Sequence, residues 1–139
     1  MGRNMFCGHP GPWDAAKPWN GWWGETPPYH HPVFVLTQYK REPLVLADTT
    51  FTFVTDGMES VLAQARSAAK GKDVSLAGGA KACQKYLAAG LVDEMEISLV
   101  PVLLGSGERL FDGVDDLHGL ALVRTVAAPG VMHLKFTKG

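Results

Sequence analysis

The paired glycines Gly78-Gly79 stand between an apolar run, Val74, Leu76 and Ala77, and a stretch with helical spacing. Two residues without a Cβ let the backbone turn sharply. A helix beginning at that turn presents unpaired N–H groups and the positive end of its dipole, which suits a phosphate. Glycines that merely pack a helix against a strand are the commoner explanation of such a pair, so the two alone leave both readings open. Other candidates carry less. His30 and His31 are adjacent, so on an extended chain they face opposite ways. No Cys/His/Asp cluster completes a metal shell around them, or around Cys7 and His9. Asp56 and Glu59 have the spacing of a capping box, which explains Asp56 without catalysis.

The elements that must position the glycines follow from periodicity. Residues 73–77 read as a short buried strand. The spacing predicts a helix over 79–89, with Ala80, Cys83 and Leu87 on its buried face and Gly90 as the stop. Met95, Ile97 and Leu99 then alternate with Glu96 and Ser98, a strand near 95–101 that ends at Pro101. Strand, helix and strand of these lengths make a right-handed βαβ crossover. Upstream, 33–37 is a short, almost wholly apolar strand, 38–43 a polar loop, and 51–55 the next strand. A helix over 58–70 follows, with Met58, Val61, Leu62 and Ala65 as its apolar stripe and Gly71 closing it. After a glycine loop and an acidic stretch at 112–119, residues 120–126 and 131–136 alternate as an antiparallel hairpin at a sheet edge. The class is α/β.

At 139 residues, 46% hydrophobic and 19% charged, the chain has the length and balance of one domain with a substantial core. The expected division is an irregular loop over 1–32 and an α/β core over 33–139. The loop holds six prolines, five glycines and all four tryptophans, Trp13, Trp19, Trp22 and Trp23. Such a composition invites disorder, but large rings are normally buried, so a packed Trp-rich loop is the expectation. A net charge of −1 gives no basic footprint for nucleic acid. No apolar run approaches a membrane span, and Met1–Cys7 lacks a signal peptide's apolar core. Two cysteines make no disulfide framework, and the default compartment is the cytoplasm.

Longer runs carry a resemblance. Leu-Ala-Gly-Gly-Ala…Tyr-Leu-Ala-Ala-Gly-Leu-Val-Asp-Glu-Met…Val-Pro-Val-Leu-Leu-Gly-Ser-Gly-Glu-Arg-Leu-Phe, residues 76–111, resembles the dihydrofolate reductase-like superfamily. The nearer likeness within it is the riboflavin-biosynthesis reductase domain, the C-terminal domain of bacterial bifunctional deaminase-reductases. The resemblance implies a three-layer α/β fold, a mostly parallel sheet with a C-terminal antiparallel hairpin, and a bound NADP(H). Met1-Gly2-Arg3-Asn4-Met5 is similar to the family's Gly-Arg turn, which grips the dinucleotide phosphates. Val35-Leu36-Thr37 is similar to the strand end beside the adenosine 2′-phosphate, and Gly78-Gly79-Ala80 to the glycine turn against the pyrophosphate. The implied cofactor-binding set is therefore Gly2, Arg3, Leu36, Thr37, Gly78, Gly79 and Ala80. The types suit the roles: Arg3 can donate two bonds to a phosphate dianion and Thr37 one. A solvated Arg3 and a Thr37 doing ordinary strand work remain the plainer alternatives. A homodimer is also implied, with the Trp-rich loop or the 95–101 strand as its apolar contact.

Two departures from the family stand out. The family has several tens of residues before the Gly-Arg turn, forming a central strand, a helix and another strand, whereas this chain begins at the turn. Without a central strand, backbone groups are unpaired and apolar surface is exposed, so an N-terminally truncated domain is the expectation. Secondly, the family's pyrimidine reductases usually carry a glutamate before the paired glycines, where this chain has Ala77. The resemblance therefore implies an NADPH-dependent reductase of a small heterocyclic or carbonyl substrate, similar to 5-amino-6-(5-phosphoribosylamino)uracil reductase but distinct from it. No catalytic residue is nominated. Hydride transfer asks mainly for close positioning in a dry site, with the cofactor carrying the chemistry. The competing reading is a non-catalytic nucleotide-binding or oligomerising remnant. A flavin-binding module has less support.

Overall fold

The computed structural model describes residues 1–7 and 9–139, which form two compact units, Met1–Gly79 and Ala80–Gly139. The first unit is built on a three-stranded sheet of order β1-β3-β2, with β1 at Val33–Leu36, β2 at Leu44–Leu46 and β3 at Thr49–Val54. β1 and β3 are parallel, with Val33 opposite Phe51 and Val35 opposite Phe53. β2 folds back antiparallel to β3. Alternation sends Val33, Val35, Phe51 and Phe53 to one face, and all four are buried. A five-residue helix, α1 (Arg3–Cys7), lays Phe6 on that face, with ring centroids 5.3 Å from Phe51 and 5.2 Å from Phe53. Trp13, Trp19, Trp23 and Tyr29 pack around the same cluster. The Trp-rich stretch is thus a packed aromatic cover, and only Trp22 stands largely exposed. Two of its polar tips are tied down: Trp19 Nε1 donates to the Phe6 carbonyl at 2.8 Å, and Trp13 Nε1 to the Tyr39 carbonyl at 2.9 Å. Helix α2 (Met58–Ala69) lies against β1 with Val61 buried, and ends through Lys70 in the left-handed conformation.

The second unit opens with α3 (Ala80–Ala88) and continues into an antiparallel sheet of order β4-β6-β5, with β4 at Glu94–Leu99, β5 at Leu120–Ala128 and β6 at Val131–Lys138. α3 ends in a Schellman motif. Gly90 N–H donates to the Leu87 carbonyl and Leu91 N–H to the Tyr86 carbonyl, both at 2.9 Å, with Gly90 at φ +65°. Lys138 Nζ donates to the Gly90 carbonyl at 2.6 Å, setting a cation at the negative end of the helix. Pro129-Gly130 makes the hairpin turn, with Gly130 at φ +75° as a type II turn requires. Ile97, Leu99, Leu134 and Phe136 share an apolar groove with the loop residues Phe111 and Val114.

Several expectations are corrected. Residues 73–79 form no strand ladder, and β4 pairs antiparallel with β6, so the βαβ crossover expected over 73–101 is not formed among the described residues. A strand needs a neighbour, and the element beside Gly78 is Met1–Gly2, which contributes a single bridge, Gly2 to Leu36. Parallel pairing is correspondingly confined to β1 with β3 and that bridge. Asp56 does not cap α2. Gly57, at φ +97°, takes the N-cap position with no side-chain cap bond, which leaves Asp56 one residue too early. The buried residues of α3 are Ala82, Tyr86 and Leu87, with Ala80 and Cys83 only half-buried, because the stripe runs through the bulky Tyr86. The helix α1 and strand β2 were not expected. β2 turns into β3 at Ala47-Asp48, with Ala47 at φ +50°, so the turn lacks a glycine signal.

Candidate functional site

Three segments distant in sequence meet at the end of β1. The Leu36 amide donates to the Met1 carbonyl at 2.9 Å, and the Gly2 amide to the Gly78 carbonyl at 2.7 Å. The Gly-Arg turn, the β1 end and the glycine turn are therefore stitched together by backbone bonds that no side chain controls. The Gly2 carbonyl accepts from the Met5 and Phe6 amides, so α1 starts at the turn itself. Gly78 has φ +98°, the region that favours glycine, and the Gly78–Gly79 peptide bond is cis. A Cβ built on either glycine meets nothing within 4 Å, so the turn faces open space. α3 starts at Ala80, the next residue in the chain.

Arg3 is held in an unusual way. Its guanidinium carbon lies 3.5 Å from the centroid of the Trp13 ring, and Nη2 donates to the Gly11 carbonyl at 3.2 Å. Nε and Nη1 are buried without a hydrogen-bond partner among the described residues. Buried charged donors without acceptors are costly, so these two fit an anionic oxygen brought by a ligand. Thr37 is buried, and its hydroxyl accepts the Tyr39 amide at 3.1 Å. That bond closes a turn just past β1, in place of the ordinary strand work expected as the plainer role, and leaves the hydroxyl hydrogen to donate.

Arg41 was missed from the sequence. It sits in the loop after β1, with its guanidinium carbon 5.0 Å from the Phe53 ring and 5.1 Å from the Trp13 ring. It donates to the Trp19 carbonyl and, at 2.7 Å, to Asn20 Oδ1. Burial, and after it the charge of Arg3, pulls its guanidinium below the ordinary value. A hollow beside it, of about 300 Å³, is lined by Lys40, Glu42, Thr55 and Asp56. The one available signal was Lys40-Arg41 within the polar loop 38–43, which reads as a solvated loop. The histidine pair has local partners: His30 Nδ1 meets Asp48 at 2.8 Å, and His31 Nδ1 donates to the Pro32 carbonyl. Among the described residues no group of three His, Cys, Asp or Glu could hold a metal, and no helix is long and apolar enough to cross a membrane.

Residues 2–134 match the RibD C-terminal domain family. The chain belongs to that family. It is 44% identical over 55 residues to the uncharacterized protein YyaP of Bacillus subtilis strain 168, a match covering 40% of this chain and 29% of that protein. It is 34% identical over 64 residues to YwjB of the same strain, covering 46% and 36%. A crystal structure titled "Putative riboflavin biosynthesis protein", from Shewanella sp. PV-4, superposes with a TM-score of 0.65 at 25% identity, covering 81% of this chain and 63% of that one. The matches thus span less than two thirds of the length of these relatives. The RibD C-terminal family is reductase-like, and the fold is the α/β dihydrofolate reductase-like one that residues 76–111 implied.

Proposed function

We propose that the chain is an NADPH-dependent reductase of a small heterocyclic or carbonyl substrate. The observation that carries this reading is the junction of Gly2, Leu36 and Gly78, with the two unpartnered donors of Arg3 beside it. Such a junction offers a dinucleotide what its phosphates need: open backbone at Gly78-Gly79 and a guanidinium with two donors that lack acceptors. Gly2, Arg3, Leu36, Thr37, Gly78, Gly79 and Ala80 would hold the cofactor. Bound NADPH would supply the hydride, and the chain's own part is to bind, orient and exclude water. Ala77, exposed and without a polar group, favours a substrate other than the pyrimidine of riboflavin synthesis.

Thermal melting with and without NADPH tests the reading. A ligand that binds only the folded state raises the midpoint by mass action. A shift with NADPH that is smaller with NADH supports it. No shift at saturating NADPH would leave the non-catalytic remnant as the better reading.

A homodimer belongs to the same proposal. Leu99 at the end of β4 and Val100, Val102, Leu103 and Leu104 beyond it are exposed, an apolar ridge larger than scattered surface residues explain. Light scattering across a concentration series should give twice the chain mass. A concentration-independent monomer would remove the dimer.

A further inference from the structure

Resting on the dinucleotide reading, we infer that Trp13 is a positioning residue that holds Arg3 and Arg41 together as a paired seat for one phosphate. Both guanidiniums address the same indole, Arg3 at 3.5 Å and Arg41 at 5.1 Å from its centroid. Neither forms an ion pair with a carboxylate among the described residues. Two half-buried like charges repel, and here the electron-rich ring face supplies the attraction that a carboxylate would supply elsewhere. A carboxylate in that place would compete with an incoming anion for the same donors. A ring leaves the donors chemically free, and that matches Arg3 keeping Nε and Nη1 unpartnered.

The indole is itself fixed. Its Nε1 donates to the Tyr39 carbonyl at 2.9 Å, and its edge meets Phe53 at 5.0 Å and Phe6 at 5.8 Å. Tyr39 also gives its amide to Thr37, so the turn that anchors Trp13 is the turn that closes the expected 2′-phosphate strand end. Arg3 and Trp13 further share the Gly11 segment, through the bond from Nη2 to the Gly11 carbonyl. The ligand class that this pairing favours is a dianionic phosphate monoester. The adenosine 2′-phosphate of NADPH is one, and NADH has no counterpart to it.

The test compares the parent chain with Trp13→Leu, which keeps bulk but removes the ring face, and Trp13→Phe, which keeps a face but loses the Tyr39 bond. Dissociation constants are measured by titration calorimetry for NADPH, NADH and adenosine 2′,5′-bisphosphate. The Arg3 Nε–H signal of ligand-free protein is followed by ¹⁵N NMR. Trp13→Leu should weaken NADPH and the bisphosphate by about five- to thirtyfold, leave NADH within about twofold, and lose the protected Nε–H signal. Trp13→Phe should recover most of the affinity. Equal weakening of NADPH and NADH, or an Nε–H signal as protected in Trp13→Leu as in the parent, overturns the inference. If the parent binds none of the three ligands while the Nε–H signal is lost in Trp13→Leu, the cofactor reading fails and the positioning of Arg3 by Trp13 stands.

Discussion

The Gly2 amide donates to the Gly78 carbonyl at 2.7 Å, across 76 positions of sequence. The bond fixes where the two turns lie and uses no side chain, so what substitutions can change is the conformation on either side of it. Gly78 and Gly79 differ in this respect. Gly78 stands at φ +98°, whereas Gly79 is not among the glycines with positive φ, and neither position crowds a Cβ. Gly78→Ala should therefore cost about 1–3 kcal/mol of stability through backbone strain. Gly79→Val should melt close to the parent and yet show no NADPH shift, because its methyls fill the space offered to the pyrophosphate. Differential scanning fluorimetry with and without NADPH reads both effects. A Gly79→Val protein that keeps the full shift would place the pyrophosphate elsewhere.

Arg3 tests cofactor choice. Removing one charge-assisted bond costs about 1.5–3 kcal/mol, which corresponds to roughly ten- to a hundredfold in affinity. Arg3→Ala should weaken NADPH by that factor and leave NADH nearly unchanged in a fluorescence titration. Equal losses for both would return Arg3 to a structural role on Trp13.

What could be read in the sequence divides along physical lines. Elements whose signals are local were legible. Gly90 stops its helix, Pro129-Gly130 turns its hairpin, and Val33–Leu36 is an apolar parallel strand. Elements that depend on a neighbour were not. Residues 73–77 have strand composition but no ladder: the Gly2 amide bonds the Gly78 carbonyl just beyond them, and the bridge that Gly2 makes goes to Leu36. β2 hides behind a turn made by Ala47, a residue that seldom takes φ +50°. At the site, the glycines and Arg3 came from motif resemblance. Arg41 and Trp13 escaped because their roles arise from stacking across 38 and 10 positions of chain from Arg3, and no periodicity encodes that.

Gly90 offers a fold prediction independent of any ligand. It has φ +65°, and a Cβ there would come within 3.1 Å of the His118 ring. His118 has little freedom to retreat, because its Nε2 donates to the Ala88 carbonyl at 2.9 Å and its amide to Asp116. Gly90→Ala thus meets two penalties together, about 1–2 kcal/mol for the left-handed backbone and a further contact strain. Urea unfolding should show a lower midpoint with an unchanged slope. An unchanged midpoint would mean that the Schellman turn does not constrain this position.

The cysteines give a prediction in pH. Cys7 is 4% exposed at the end of α1, inside the aromatic core, whereas Cys83 is half-buried on α3. Burial raises the Cys83 thiol above its ordinary value, because the thiolate loses hydration that the protein does not replace. The attacking species in alkylation is the thiolate. At pH 8, Cys83 should therefore react with iodoacetamide more slowly than a free cysteine, with a rate that keeps rising at pH values where the free thiol has levelled off. Cys7 should stay unlabelled until the chain unfolds. The sign for stability follows from the same shift. The folded state holds the Cys83 proton more tightly than the unfolded state, so stability is unaffected below the ordinary thiol value. It then declines as the pH climbs through the higher folded value. Cys83→Ser should flatten that alkaline decline without altering the neutral midpoint. Peptide mapping of alkylated protein between pH 7 and pH 10 separates the two residues. Labelling of Cys83 at the free-cysteine rate at pH 8 would show that its side chain is hydrated in solution.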